Sequence, residues 1–182
     1  MLQTNIQFIP QDTRISHLIL NKIDTVLGTF YLAETEYGIT DLQPKLESIL
    51  SRYPQAHPVE SATNHSKALA AHFEDPIHVH ISIDIALSGT AFQKEVWMEL
   101  SKLPFGKTST YGQLAQAIQA PTSQRAVGNA VGHNPLLYII PCHRILPKQG
   151  GIGHYRWGNR LKQQLLDWEK HHLNQPVNEV GR

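Results

Sequence analysis

"STYGQLAQAIQAPTSQRAVGNAVGHN", residues 109–134, decides the fold of the C-terminal half. Apolar residues recur at helical spacing on both sides of Ala120–Pro121, and proline breaks a helix interior. The spacing predicts one helix over 109–119, capped by Ser109 or Thr110, and another over 122–134, capped by Thr122 or Ser123. Two short helices joined this tightly predict a helix-turn-helix. The second helix has little relief: Ser123, Ala126, Gly128, Asn129, Ala130 and Gly132 are all small. A helix that reads the major groove carries long polar side chains, and glycines cost helix stability. A low surface serves close approach, either to a neighbouring helix or to a minor groove about 6 Å wide. Arg125 is the only charge in this helix. It is either an ordinary surface residue or an outward wedge or phosphate contact.

Upstream, "GTAFQKEVWMELSKLPFG" (89–106) predicts an amphipathic helix. Thr90 caps it, Phe92, Val96, Leu100 and Leu103 form its stripe, and Pro104 and Gly106 end it. Downstream, the apolar run from Leu136 in "LLYIIPCHRIL" reads as a buried strand that ends at Pro141, "PKQGGIGHYRWGN" (147–159) as a glycine-rich loop, and 160–172 as a final helix. The tail after Pro176 is expected to fray. In the N-terminal half, 15–21, 25–35 and 36–42 are β-rich and predict a small antiparallel sheet. Helices are expected over 44–54 and 63–73, the second capped by Thr63 or Asn64. "IHVHISIDIA" (77–86) alternates as a strand; without a third ligand, His78 and His80 read as a solvated face. The stretch 88–90 divides the chain into expected domains 1–88 and 89–182 of an α/β protein.

Hydrophobic residues make up 41% of the 182 and charged ones 17%, a soluble globular composition. No signal peptide is evident, and no apolar run approaches the ~20 residues a membrane span needs. The single cysteine excludes an intrachain disulfide and any zinc site built on paired cysteines. A cytoplasmic location is expected, or a nuclear one if the source has a nucleus. The net charge of +1 hides an asymmetry. Residues 91–172 hold ten Lys/Arg against four Asp/Glu; the rest holds six against eleven. Polyanion binding and chance scatter both account for it.

Cys142 in "IIPC" is by default a small core residue. Three features oppose that. Pro141 cannot extend a sheet ladder, which places Cys142 at a turn. His143 and Arg144 are two cations that would lower a thiol pKa. The glycine-rich loop supplies a cover. A thiol hydrolase needs cysteine and histidine facing each other, and adjacent residues in extended backbone point apart. His143 therefore reaches Cys142 only at a turn or through a water.

"IPCHR" (140–144), with "YRWG" (155–158) and "LLDWE" (165–169) after it and "TYGQLA" (110–115) and "RAVGNAVGHNP" (125–135) before it, resembles the O6-alkylguanine-DNA alkyltransferases. The resemblance is continuous from about Phe92 to Glu169, and "YRWG" is nearer the bacterial adaptive-response type. The first ninety residues resemble the family loosely. The resemblance implies a ribonuclease H-like N-terminal sheet-plus-helix domain and a winged-helix-like C-terminal domain. The zinc domain that some bacterial members carry is not expected, nor any metal or cofactor.

The implied partner is duplex DNA bearing O6-alkylguanine, or O4-alkylthymine, met by a monomer. Cys142 would take the alkyl group as a thioether, once per molecule. His143 would act as base through a water, and Glu169 would hold its tautomer. Arg125 would fill the gap left by the flipped base. Tyr111 would crowd the 3′ phosphate and donate to the base ring. Ser123, Ala126, Gly128 and Asn129 would line the DNA face. Carbonyls of Cys142 and Ile145 would accept from the guanine amino group. Val131, Tyr155 and Trp157 would line the pocket, and the Arg156 N–H would bond O6. Asn134 would be the hinge into the cysteine turn. The rivals are a lesion-binding module of the same family, which would lack the cysteine, and a thiol hydrolase.

Overall fold

Strand β2 (His17–Thr25) is covered on both faces: Leu18 and Leu20 point into one buried cluster, and Ile23, of opposite parity, into the other. It turns at Val26–Leu27 into β3 (Gly28–Thr35), so the stretch 25–35 is a turn and a strand rather than one strand. β3 pairs antiparallel with β4 (Gly38–Gln43). That meander is the expected antiparallel sheet, and it is only the centre of a larger one. The six-stranded sheet is mixed, in the order β1-β6-β4-β3-β2-β5. β1 (Leu2–Phe8) and β6 (Ile81–Leu87) join through parallel ladders on one side, and β5 (His57–Glu60) on the other. β1 escaped the sequence reading although Leu2, Ile6 and Phe8 alternate with Gln3, Asn5 and Gln7. The computed structural model describes residues 1–175, so the expectation for the tail after Pro176 lies outside the described residues.

The helices follow their caps. Thr63, Thr90 and Thr110 each form a reciprocal capping box at the start of α2 (Asn64–Glu74), α3 (Ala91–Ser101) and α4 (Tyr111–Ala117). α1 (Leu46–Leu50) is shorter than the 44–54 expected. α3 stops at Ser101, before Pro104. β6 begins at Ile81, so His78 and His80 precede it, and His78 pairs with Asp75 at 3.0 Å. α5 (Gln124–Gly132) has no side-chain cap, so neither Thr122 nor Ser123 serves as one. α4 unwinds through Gln119, whose φ is +57°, so the connection to α5 is residues 118–123, longer than Ala120–Pro121.

The expected strand from Leu136 to Pro141 does not form. Its only ladder contact at the start is a bridge from Leu136 to Leu42. Tyr138 then adopts φ +65°, which breaks extension, and the following amides bond locally. Cys142–Arg144 is a 3-10 turn, and β8 (Ile145–Leu146) pairs with β7 (Ser109–Thr110). Leu136–Ile140 are buried because the segment threads the core, and apolar runs look alike whether extended or coiled. α6 (Asn159–Leu173) closes the described chain. One core spans both halves: Phe73 and Leu42 of the first pack with Trp97, Tyr138 and Trp168 of the second. Leu42 also donates to Pro135 and accepts from Leu137. No helix among the described residues is long and apolar enough to cross a membrane.

Candidate active site

The thiol sits where the core segment turns. Cys142 is 3% exposed, at the start of the 3-10 turn. Asn134, two residues past α5, holds it in place. Its side-chain amide donates to the carbonyls of Leu136 (3.1 Å) and Ile140 (2.8 Å) and to Sγ of Cys142 (3.1 Å), while Oδ1 accepts from Leu136 N–H (2.9 Å). One buried amide thus fixes the loop and touches the sulfur. The Tyr155 hydroxyl lies 3.9 Å from Sγ.

Burial pushes the thiol pKa up, and the Asn134 amide, the Tyr155 hydroxyl and the Lys162 charge pull against it. The expectation that His143 and Arg144 would lower it is overturned. Both side chains turn to Glu169, so the Arg144 charge and the His143 ring N–H are spent there. Lys162 was missed. It is fully buried on α6, and its ammonium donates to the Ile145 carbonyl at 2.6 Å. A lysine on the buried stripe Lys162, Leu165, Trp168, Glu169 of an amphipathic helix is the signal that could have found it.

Behind the thiol lies a buried charged cluster. His143 Nε2 is 2.9 Å from Oε1 of Glu169. A carboxylate only accepts, so Nε2 carries the proton and Nδ1 is bare. Nδ1 is buried with no hydrogen-bond partner among the protein atoms, and no direct hydrogen bond joins His143 to Cys142. Burial lowers the imidazole pKa, against the pull of Glu169, which keeps His143 neutral. Arg144 clamps the same carboxylate through Nε (3.0 and 3.1 Å) and Nη2 (2.6 Å), and its Nη1 donates to the Leu103 carbonyl. Gly106 N–H donates to Oε2. Gly106 has φ +71°, in the left-handed region where a side chain is strained, so glycine suits the turn that presents that N–H. Burial pushes Glu169 up, but the hydrogen bonds from His143 and Arg144 and the Arg144 charge outweigh it and hold it at about 2.

A cavity of about 360 Å³ opens onto the sulfur. Its lining includes Tyr111, Gly128, Val131, Tyr155, Arg156 and Trp157.

Residues 91–171 match the family described as 6-O-methylguanine DNA methyltransferase, DNA binding domain. The chain is 35% identical over 144 residues to a probable methylated-DNA–protein-cysteine methyltransferase of Acanthamoeba polyphaga mimivirus, covering 76% of this chain and 95% of that protein. It belongs to the methylated-DNA–protein-cysteine methyltransferase family. It is also 37% identical over 156 residues to the regulatory protein ada of Salmonella typhimurium, across 80% of this chain. This chain spans 44% of that longer relative. Among solved structures, the Mycobacterium tuberculosis OGT in complex with DNA matches with a TM-score of 0.75 at 33% identity, over 85% of this chain and 94% of that one.

Of the residues the family resemblance singled out, Tyr111, Gly128, Val131, Cys142, Tyr155, Arg156 and Trp157 meet at one cavity. His143 and Glu169 lie behind it. Ile145 is not in the lining; its side chain is in the core and its carbonyl accepts from Lys162. The Cys142 carbonyl accepts from Ile145 N–H. Ser123, Arg125, Ala126 and Asn129 lie on the outer side of α5, along a groove shared with Thr90 and Phe92. Asn134 follows the α5 cap residue His133 and is fully engaged. Arg144 belongs to the site as the clamp on Glu169, a role the sequence reading did not assign.

Proposed function

We propose that this protein repairs O6-alkylguanine in duplex DNA by transferring the alkyl group to Cys142, once per molecule. The observation that carries the reading is a buried thiol facing a cavity, backed by a neutral histidine on an anionic glutamate. The thiol proton passes to Nδ1 of His143 across a water. The S–C bond forms as the C–O6 bond breaks. Guanine leaves as its O6 anion, met by the Arg156 N–H, and takes up a proton. Glu169 holds the imidazole tautomer and stabilises its cation. Asn134, Tyr155 and Lys162 stabilise the thiolate. Nothing returns the thiol, so the molecule is spent.

The outer face of α5 lies in the minor groove. Its small residues allow close approach, and Arg125 enters the stack as the base turns out. Tyr111 crowds the neighbouring phosphate, and Asn134 is the hinge into the cysteine turn. O4-alkylthymine presents the same alkyl–oxygen bond and is a second substrate. The chain works as a monomer in the cytoplasm, with residues 1–88 as scaffold and 89–182 as the DNA-binding and transfer unit.

Intact-mass measurement after mixing with a duplex bearing one O6-methylguanine tests this. One methylene is added per molecule, at Cys142. Multiple turnover, or no mass gain, overturns the reading.

A further inference from the structure

Tyr138 is an odd residue for its place. Its backbone lies in the left-handed region at φ +65°, which is costly for a bulky side chain. Its hydroxyl is buried, which demands a partner. That partner comes from the other half of the molecule: the hydroxyl is 2.8 Å from Nε2 of His72 on α2. The Nδ1 of His72 lies 2.9 Å from the Val79 carbonyl, which only accepts. Nδ1 therefore carries the proton, and the bare Nε2 accepts from the tyrosine O–H. Burial lowers the His72 pKa and keeps it in this neutral form.

The tyrosine ring is wedged between the halves. It packs 4.8 Å from Phe73 of α2 and edge-on at 5.5 Å to Trp168 of α6, the residue before Glu169. It stacks on the His143 imidazole, with centroids 6.1 Å apart and planes 20° from parallel. An aliphatic side chain would fill such a core without a buried hydroxyl or a histidine to receive it.

We propose that Tyr138 is a positioning residue: anchored by His72 of the N-terminal half, it fixes the plane of the His143 imidazole against Glu169. The inference rests on the reading of His143 as the base. It gives the N-terminal half a part in the chemistry beyond scaffolding. The charged and titratable groups around the device are few. His72 faces the Met1 amino terminus, Asp75 and His80; Tyr138 faces Arg144 and Glu169; His143 faces Glu169, Arg144 and Lys162.

The test is the pH dependence of single-turnover transfer from an O6-methylguanine duplex, with DNA affinity and melting temperature measured alongside. Tyr138→Leu removes the ring, and Tyr138→Phe removes only the hydroxyl. His72→Leu removes the acceptor, and His72→Gln restores one. His143→Gln is the reference. Tyr138→Leu is expected to slow transfer about tenfold, because a displaced base loses its geometry. Its acid limb moves to higher pH, because water reaching the imidazole relieves the burial that holds its pKa down. Tyr138→Phe and His72→Leu move the same way by less, His72→Gln returns toward the parent, and DNA affinity is unchanged. The proposal is overturned if the Tyr138 and His72 variants keep the parent's rate and acid limb while His143→Gln is slow. It is also overturned if rate, affinity and melting temperature fall together with no change in the pH profile. If Tyr138→Leu does not fold, Tyr138→Phe with the two His72 variants decides by the same criteria. If His143→Gln matches the parent, the base assignment has failed and the inference falls with it.

Discussion

Cys142 and Arg125 belong to the same half of the molecule and live by opposite rules. The thiol is buried, and Asn134, Tyr155 and Lys162 surround it with donors and charge. Arg125 stands exposed on the outer side of α5, and among the described residues it forms no ion pair. Burial makes each interaction at the thiol strong and each loss costly, because water cannot replace a missing partner. Exposure makes Arg125 cheap to remove from the fold, so in the proposed reading its cost falls on DNA alone. Substitutions at the two places should therefore fail in different ways.

The largest effect is at the thiol itself. Cys142→Ser should abolish transfer, read as no mass gain, while gel-shift affinity for the lesion duplex persists. Loss of both together would make the thiol structural and erase the contrast.

Glu169→Gln comes next. Transfer at neutral pH should fall about a hundredfold in single-turnover assays, as the imidazole loses its orienting carboxylate. Urea melts should show a loss of about 3 kcal/mol, because Arg144 keeps its charge without a partner. The pH dependence has a definite sign. The folded pKa of Glu169 is held at about 2, below the ordinary 4.5. Its contribution to stability is therefore whole above about pH 4.5 and lost as pH falls toward 2. The parent should lose stability across that window more steeply than the variant, and parallel curves would refute it.

Arg125→Ala should spare stability and chemistry and still slow repair in duplex about tenfold, since flipping a base costs a few kcal/mol. Reaction with free alkylated base should be unchanged. Equal losses on duplex and free base would dissolve the distinction between the regions. The slope of log affinity against log salt should shrink by about one if the guanidinium meets a phosphate.

The smallest effects sharpen the picture at the sulfur. Asn134→Ala and Lys162→Met each remove a group that lowers the thiol pKa, so the midpoint of iodoacetamide alkylation against pH should rise in both. Asn134 ranks above Lys162 in that balance, so its variant should move further.

How much was legible follows from which signals are local. Three helices announced themselves because a cap is a local signal: Thr90 reads as one outright, and Thr63 and Thr110 each as one of two neighbouring candidates. The β2–β3–β4 meander showed because hairpin partners are neighbours in sequence. β1 pairs with β6 across most of the N-terminal half, and nothing local marks that pairing. The buried run from Leu136 looked like a strand because burial alone does not reveal backbone path, and the left-handed Tyr138 leaves no trace in composition.

The site divides the same way. Residue types and spacing alone put a thiol at a turn beside an imidazole, and a lone arginine on a low helix, because these are facts of neighbouring residues. Glu169 came into view only through the likeness to a known family, since a glutamate on an amphipathic helix is ordinarily solvated. The fold assigned the partners. It turned Arg144 from the sulfur to Glu169, brought Lys162 to the Ile145 carbonyl, and set Tyr138 between His72 and His143. Those contacts join segments far apart in the chain, and burial, which sets the pKa of the thiol and the imidazole, exists only once the chain has closed over them.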